Sequence, residues 1–281
     1  MPVVRVGDLD IAYDTYGEGE PVLMINGIGA DRTAWELQVP AISREFRVIT
    51  FDNRDVGETG PGRDPKPYAM RQFADDAAGL LDALGIASAH IVGASMGGAI
   101  AQEFALAYPA RMRSLTITCS WPKTDPWLAE LWELWEHVFE ALGPVEWART
   151  TWLWVFTHRY YRDPTHLERL LAIARGAPHP QKFAMYQRQS RAAAGHDALN
   201  RLPQIKAPAH VICGAEDIFT PPRFSEAIAD AIPGARLSMM PEVGHGMFWE
   251  ATDDFNELVV GFLRQASGRP ATTEREFDAE E

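Results

Sequence analysis

Residues 89–101 read Ala89-His90-Ile91-Val92-Gly93-Ala94-Ser95-Met96-Gly97-Gly98-Ala99-Ile100-Ala101. His90-Ile91-Val92 reads as the end of a buried strand and Gly93 to Gly97 as a tight turn. From Gly98 through Ile100, Phe104 and Leu106 the apolar spacing is helical. A serine on a sharp strand-to-helix turn, with glycines two before and two after it, is how a chain presents a nucleophile. The turn strains the serine backbone, only small neighbours avoid a clash, and the helix N-terminus favours negative charge. The same pattern also fits a glycine-rich βα loop with an incidental serine, so the reading depends on partners elsewhere.

Working outward, Val3–Val6 and Leu9–Tyr16 alternate apolar and polar residues around Gly7-Asp8, a hairpin signature. Pro21 to Ile25 is a continuous apolar run, expected of a strand covered on both faces, and opens into the loop Asn26-Gly27-Ile28-Gly29. Asp31 is placed to cap a helix through Trp35 and Leu37 that ends near Phe46. Arg47 to Phe51 is the next strand, and Asp52 to Gly57 its exit loop. A helix is expected from Met70 to Leu84, stopped by Gly85. Pro109 ends the helix after Ser95, and Leu115 to Thr118 is a further strand. This alternation predicts an α/β class: a mostly parallel, doubly wound sheet with helices on both faces.

Composition shifts at Trp121. Residues 121–200 hold seven of the nine tryptophans and no strand-like run. Helices are expected from Asp125-Pro126 to Leu142, where Gly143-Pro144 stops the first, and then over Val145–Tyr160, Pro164–Arg175 and Pro180–Ala194. This reads as an inserted all-helical cap. Its aromatic stripe serves either to pack the insert on the core or to wall an apolar pocket. On the second reading Trp121, Trp132, Trp135 and Trp154, with Phe219 and Met247, are candidate substrate contacts. The sheet resumes with Ala209–Cys213 and ends with Ala235–Met240, separated by a helix over Pro222–Ala231. Asp253-Asp254 is placed to cap a last helix, Phe255–Gln265. The expected organisation is core over 1–120, cap over 121–200, core again over 201–265, and a disordered acidic tail over 266–281.

Bulk properties narrow the function classes. A formal charge of −13 argues against nucleic acid and anionic membrane as partners. Cys119 and Cys213 lie in apolar strand-like runs and read as reduced core residues. No basic patch precedes an apolar run at the start, and no stretch approaches ~18 consecutive apolar residues. The expectation is a cytoplasmic monomer or homodimer acting on a small molecule. No His, Cys or carboxylate cluster has ligand spacing, so no metal or cofactor is expected.

A serine nucleophile needs a base, and the base needs a carboxylate to set its tautomer. Parallel sheets place such groups at the C-terminal ends of strands. Ser95, Asp217 and His245 each follow an expected strand directly, in that order. Of the eight histidines, His245 alone sits between two glycines just past a strand. Asp217 competes with Glu216, Glu242 and Asp125, and its place directly after a strand favours it. Donors to a developing oxyanion are expected from the backbone N–H of Met96, and of Ile28 in the first glycine loop.

The motifs Gly93-x-Ser95-x-Gly97-Gly98, Gly214-x-x-Asp217, Gly244-His245 and Phe51-Asp52-x-Arg54-x-x-Gly57, with Thr59 where serine is common, resemble the α/β-hydrolase superfamily. The resemblance spans roughly Val3 to Arg264 and implies a capped serine hydrolase. Many relatives carry His-Gly in the first glycine loop where this chain has Asn26-Gly27. An asparagine there resembles the 3-oxoadipate enol-lactonase branch and neighbouring esterases. The resemblance therefore implies hydrolysis of a carboxylic ester or lactone through an acyl-enzyme on Ser95. Carbon–carbon bond hydrolysis, peracid formation and acyl transfer use the same triad. A ligand-sensing module with weak turnover is the reading from a different class.

Overall fold

The structure, a computed structural model, describes residues 2–62 and 67–269. Its centre is an eight-stranded sheet in the order β1-β2-β4-β3-β5-β6-β7-β8. The strands are β1 (Val3–Val6), β2 (Leu9–Tyr16), β3 (Glu20–Ile25), β4 (Phe46–Phe51), β5 (Ala89–Ala94), β6 (Met112–Thr118), β7 (Ala209–Gly214) and β8 (Arg236–Met240). β1 and β2 form the expected hairpin, and β2 runs antiparallel to β4; every other pairing is parallel.

The continuous apolar runs follow from burial on both faces. Leu23, Ile25, Ile91, Leu115 and Ile117 meet α2 (Met70–Ala83), α3 (Met96–Ala107) and α7 (Pro222–Ala231). Their strand neighbours Val22, Met24, Val92 and Ile212 point the other way, towards α1 (Val39–Ile42) and α9 (Thr252–Ala266). The two-residue period of a strand sends alternate side chains to opposite layers, so both must be apolar. Between β6 and β7 the described chain is helical: α4 (Pro126–Val155), α5 (Pro164–Gly176) and α6 (Phe183–Ala194). The short helix α8 (Met247–Glu250) follows β8.

Several expected elements differ. The helix from Asp31 to Phe46 is two pieces: a 3-10 turn over Arg32–Trp35, which Asp31 caps at Thr33 N, and α1. Pro40 has no N–H to donate and therefore begins a new helix rather than continuing one. The helices on either side of Gly143 run on as one element, kinked where Gly143 takes φ 78° and ψ 177°. The second half stops at Val155, not Tyr160, because Phe156 is extended and the Val155 carbonyl accepts from Gly246 N at 2.7 Å. α6 begins at Phe183, beyond Gln181, whose Nε2 donates to the Asp55 carbonyl at 3.0 Å. Asp253 and Asp254 are not caps; they lie inside the first turn of α9, where carboxylates favour the helix dipole. Of the expected tail, Ala266 closes α9 and the Ser267 amide bonds Leu263; residues 270–281 lie outside the described residues.

Cys119 and Cys213 are both buried and free. Among the described residues no helix is long and apolar enough to cross a membrane.

Three histidines are buried away from Ser95. His90 Nδ1 lies 2.8 Å from Ser114 Oγ, and His210 Nε2 lies 2.8 Å from Ser238 Oγ. Burial lowers the pKa of His90 and His196 to about 4 and that of His210 to about 3. A neutral imidazole that the unfolded chain would protonate contributes stability above the unfolded value, and loses it as pH falls towards the folded value. The denaturation free energy of His210→Gln, compared with the parent, is thus expected to show a deficit near neutrality that narrows as pH falls below ~6.5. Urea midpoints at several pH values read this, and a deficit that widens on acidification has the wrong sign.

Candidate active site

Ser95 joins β5 to α3 at φ 55° and ψ −119°, a left-handed conformation unusual for a residue with a side chain. Its neighbours explain how this is tolerated. A Cβ at Gly93 would stand 2.2 Å from the Gly97 carbonyl oxygen, and one at Gly97 would stand 2.1 Å from that of Ile25. A Cβ at Gly98 would meet Ser120 Cβ at 2.5 Å. The serine main chain is fixed: its N–H donates to Thr118 O at 2.9 Å, and its carbonyl accepts from Gly98 N at 2.9 Å and Ser120 Oγ at 2.8 Å. The side chain makes no capping bond to the helix.

Asp217 follows β7, and His245 follows β8. His245 Nδ1 lies 2.8 Å from Asp217 Oδ2. An ionised carboxylate accepts only, so Nδ1 carries a proton, and in the neutral imidazole Nε2 keeps its lone pair. Asp217 is itself held: Oδ1 accepts from the backbone N–H of Phe219 at 2.9 Å and of Thr220 at 2.8 Å. The Thr220 hydroxyl donates to Oδ2 at 2.9 Å and lies 3.1 Å from His245 Nδ1. Burial opposes a charge on His245, but the adjacent Asp217 carboxylate outweighs it and carries the imidazole above its ordinary range.

The competing acids are used elsewhere. Glu216 and Glu242 both bind Arg159, at 2.7 and 3.2 Å. Asp125 caps α4 at Leu128 N and pairs with Arg223.

The loop after β3 lies against the serine, since a Cβ at Gly27 would stand 3.2 Å from Ser95 Cβ. Asn26 braces it. Its Nδ2 donates to the Asp31 carbonyl at 2.8 Å, and its own carbonyl accepts from Asn53 Nδ2 at 3.1 Å. The N–H groups of Ile28 and Met96 donate to no group among the described residues. Two unspent donors beside one serine are what a developing oxyanion requires.

The Asp52 motif shapes the neighbouring loop. Asp52 accepts from Arg32 N at 2.8 Å, Arg32 Nη1 at 2.6 Å and Glu58 N at 2.9 Å. A Cβ at Gly57 would lie 2.3 Å from its Oδ2. Thr59 Oγ1 accepts from Ala12 N at 3.0 Å and donates to the Asp52 carbonyl at 2.8 Å, so either hydroxyl residue serves there.

Ser95 and His245 open into a cavity of about 390 Å³, also lined by Ile28, Trp135 and Phe219. Of the six expected substrate contacts, Trp135 and Phe219 therefore reach it. Trp121, Trp132, Trp154 and Met247 do not line it. Trp121 is buried against Trp132, with its indole N–H on Thr124 Oγ1 at 3.1 Å. Trp154 packs edge-on against Trp135, and Met247 belongs to the layer of Trp35 and Phe255. Trp147, Trp152, Phe156 and Trp249 line the cavity although the sequence did not single them out. The kink at Gly143 resets the helical phase, so spacing counted from Trp132 and Trp135 does not carry to Trp147 and Trp152. Thr220 was also missed, though a hydroxyl three residues after an expected Asp was a usable signal.

Comparison with known proteins agrees with this fold. A family model described as alpha/beta hydrolase fold matches residues 20–252. The RutD protein of Azorhizobium caulinodans, whose name assigns it provisionally to carbamate hydrolysis, is 31% identical over 93% of this chain and 98% of its own. The crystal structure of the enol-lactonase from Burkholderia xenovorans superposes with a TM-score of 0.84 at 29% identity, covering 93% of this chain and 99% of that one. BpoC of Mycobacterium tuberculosis, provisionally named a non-heme bromoperoxidase, is 31% identical over 91% of this chain and 98% of its own.

If His245 acts as a base, it must be neutral. Labelling of Ser95 by a fluorophosphonate is then expected to accelerate with pH, with a midpoint above the ordinary imidazole value of ~6.5. Thr220→Val is expected to slow labelling about tenfold, and Thr220→Ser to restore most of it. A rate independent of pH, or a valine variant that labels normally, counts against this arrangement.

Proposed function

The chain belongs to the alpha/beta hydrolase family, and from that membership we propose that it is a serine hydrolase cleaving a carboxylic ester or lactone. The observation that carries the proposal is the 2.8 Å contact of His245 Nδ1 with Asp217, in a cavity His245 shares with the strained Ser95.

In the proposed reaction Ser95 Oγ attacks the acyl carbon while His245 Nε2 takes its proton. Asp217 holds the imidazole in the Nδ1–H tautomer and stabilises the imidazolium that forms. The N–H groups of Ile28 and Met96 receive the oxyanion, and the helix N-terminus behind Met96 favours its charge. As the tetrahedral intermediate collapses, His245 returns the proton to the departing alkoxide. Water then loses a proton to His245 and attacks the acyl-enzyme, and His245 passes that proton to Ser95 Oγ as the acid leaves. In a lactone the alcohol stays tethered to the acyl group, so a single hydroxy acid leaves. A carbamate is attacked by the same route, which the resemblance to RutD makes worth including.

We assign residues 121–200 the role of a cap: α4 and α5 contribute Trp147, Trp152 and Leu170 to the cavity wall. A largely apolar wall rich in tryptophan and phenylalanine supports an apolar group on the acyl or alcohol side.

A panel of alkyl esters, aryl esters, lactones and aryl carbamates tests the proposal. Turnover above a Ser95→Ala control is expected on at least one ester or lactone, and Asp217→Asn is expected to lower kcat roughly 10³–10⁴-fold without loss of fold. A parent protein no faster than the Ser95→Ala control on every member sinks the hydrolase reading.

A further inference from the structure

We propose that the cavity over Ser95 selects uncharged substrates and rejects those whose acyl or alcohol part carries a carboxylate, phosphate or sulfonate. This rests on the hydrolase reading and names the substrate class for that same site.

The wall is built from aliphatic and aromatic side chains, with Trp135, Trp147, Trp152 and Trp249 among them. Among the described residues, the ionisable ones that line it besides His245 are two acids, Asp31 and Glu36. Asp31 Oδ1 accepts from Thr33 N at 2.9 Å and from Thr33 Oγ1 at 2.5 Å. Glu36 accepts from Arg169 Nη2 at 2.6 Å, and that guanidinium also sits 5.1 Å over the Trp249 ring. The arginine at this rim is therefore already paired. Arg188, on α6 beside Gln189, is committed to Asp55 at 2.8 Å. Among the described residues no Lys or Arg lines the cavity.

The unspent donors are the N–H groups of Ile28 and Met96, beside Ser95. They suit the ester carbonyl and leave nothing for a second, anionic group. An anion entering the cavity would lose its water and find no Lys or Arg in the wall among the described residues to replace it, only the acids Asp31 and Glu36 beside the catalytic imidazole. A neutral group of the same shape pays none of these costs and gains burial against the indoles.

A matched pair of aryl acetates tests this: 4-acetoxybenzamide and 4-acetoxybenzoate share ring, ester and leaving oxygen and differ in charge. The benzamide is expected to have a kcat/KM at least about 100-fold higher. The Ser95→Ala variant, titrated with each intact ester by tryptophan fluorescence, is expected to bind the benzamide at least about tenfold more tightly. Ile173, at the rim of the cavity and 47% exposed, is a site where a cation can be added without disturbing the core. Ile173→Arg is expected to reduce the discrimination about fivefold or more. Equal constants for the two esters within about threefold, a preference for the carboxylate, or failure of the benzamide to bind would each overturn the proposal. Loss of turnover on both esters, with charge selection intact in the binding titration, would instead count against the hydrolase reading alone.

Discussion

The steric limit at the turn between β5 and α3 is the constraint on which the rest depends. Three positions around Ser95 have no room for a side chain, because the backbone at the end of β3, the first turn of α3 and the Ser120 side chain beyond β6 all converge there. That convergence holds a serine at positive φ without a compensating side-chain bond. It also sets the loop after β3 against the turn, where a Cβ at Gly27 would stand 3.2 Å from Ser95 Cβ. A strained residue persists only where its surroundings over-determine it. Here Ser120, Thr118 and the glycines do so.

His245 is positioned by the helices between β6 and β7 as well as by the sheet. Gly246 N donates to the Val155 carbonyl, and Glu250 accepts from Gly244 N, from Thr157 N and from Thr157 Oγ1. A Cβ at Gly246 would stand 2.4 Å from the Phe156 ring. The two glycines flanking His245 thus let the exit of α4 lie directly on the loop that carries it. On the far side, Gln189 from α6 accepts from Gly29 N and donates to the Arg54 carbonyl. The segment that walls the cavity is fastened to the two loops that form its floor. The shape of the cavity and the orientation of His245 are therefore coupled through shared hydrogen bonds.

Strands and most core helices were legible because their signals are local. A strand buried on both faces must be continuously apolar, as in Pro21–Ile25, and Gly85 and Pro109 end helices for reasons intrinsic to those residues. Ser95, Asp217 and His245 were legible because a parallel sheet delivers the residues after its strands to one edge, so chain order alone brings them together. Failures occurred where a distant partner decided the outcome. The helix expected to reach Tyr160 stops at Val155 because Gly246 claims its carbonyl. Trp121, ahead of α4, and Trp132 pack on each other, and Trp154 packs edge-on against Trp135, so partners distant in the chain take them out of the cavity wall.

By itself, then, the amino-acid order determined the doubly wound sheet, the serine turn and the identity of the acid and base candidates. Each of these follows from short-range sterics and the alternation of apolar runs. Only the tertiary structure decided which tryptophans line the cavity, that Thr220 joins Asp217 and His245, and that Asp31 and Glu36 stand in the cavity wall. Those outcomes depend on helix phase across a kink and on pairings such as Glu36 with Arg169, 133 residues apart. Such pairings are set by packing in three dimensions and leave no periodic trace in the chain.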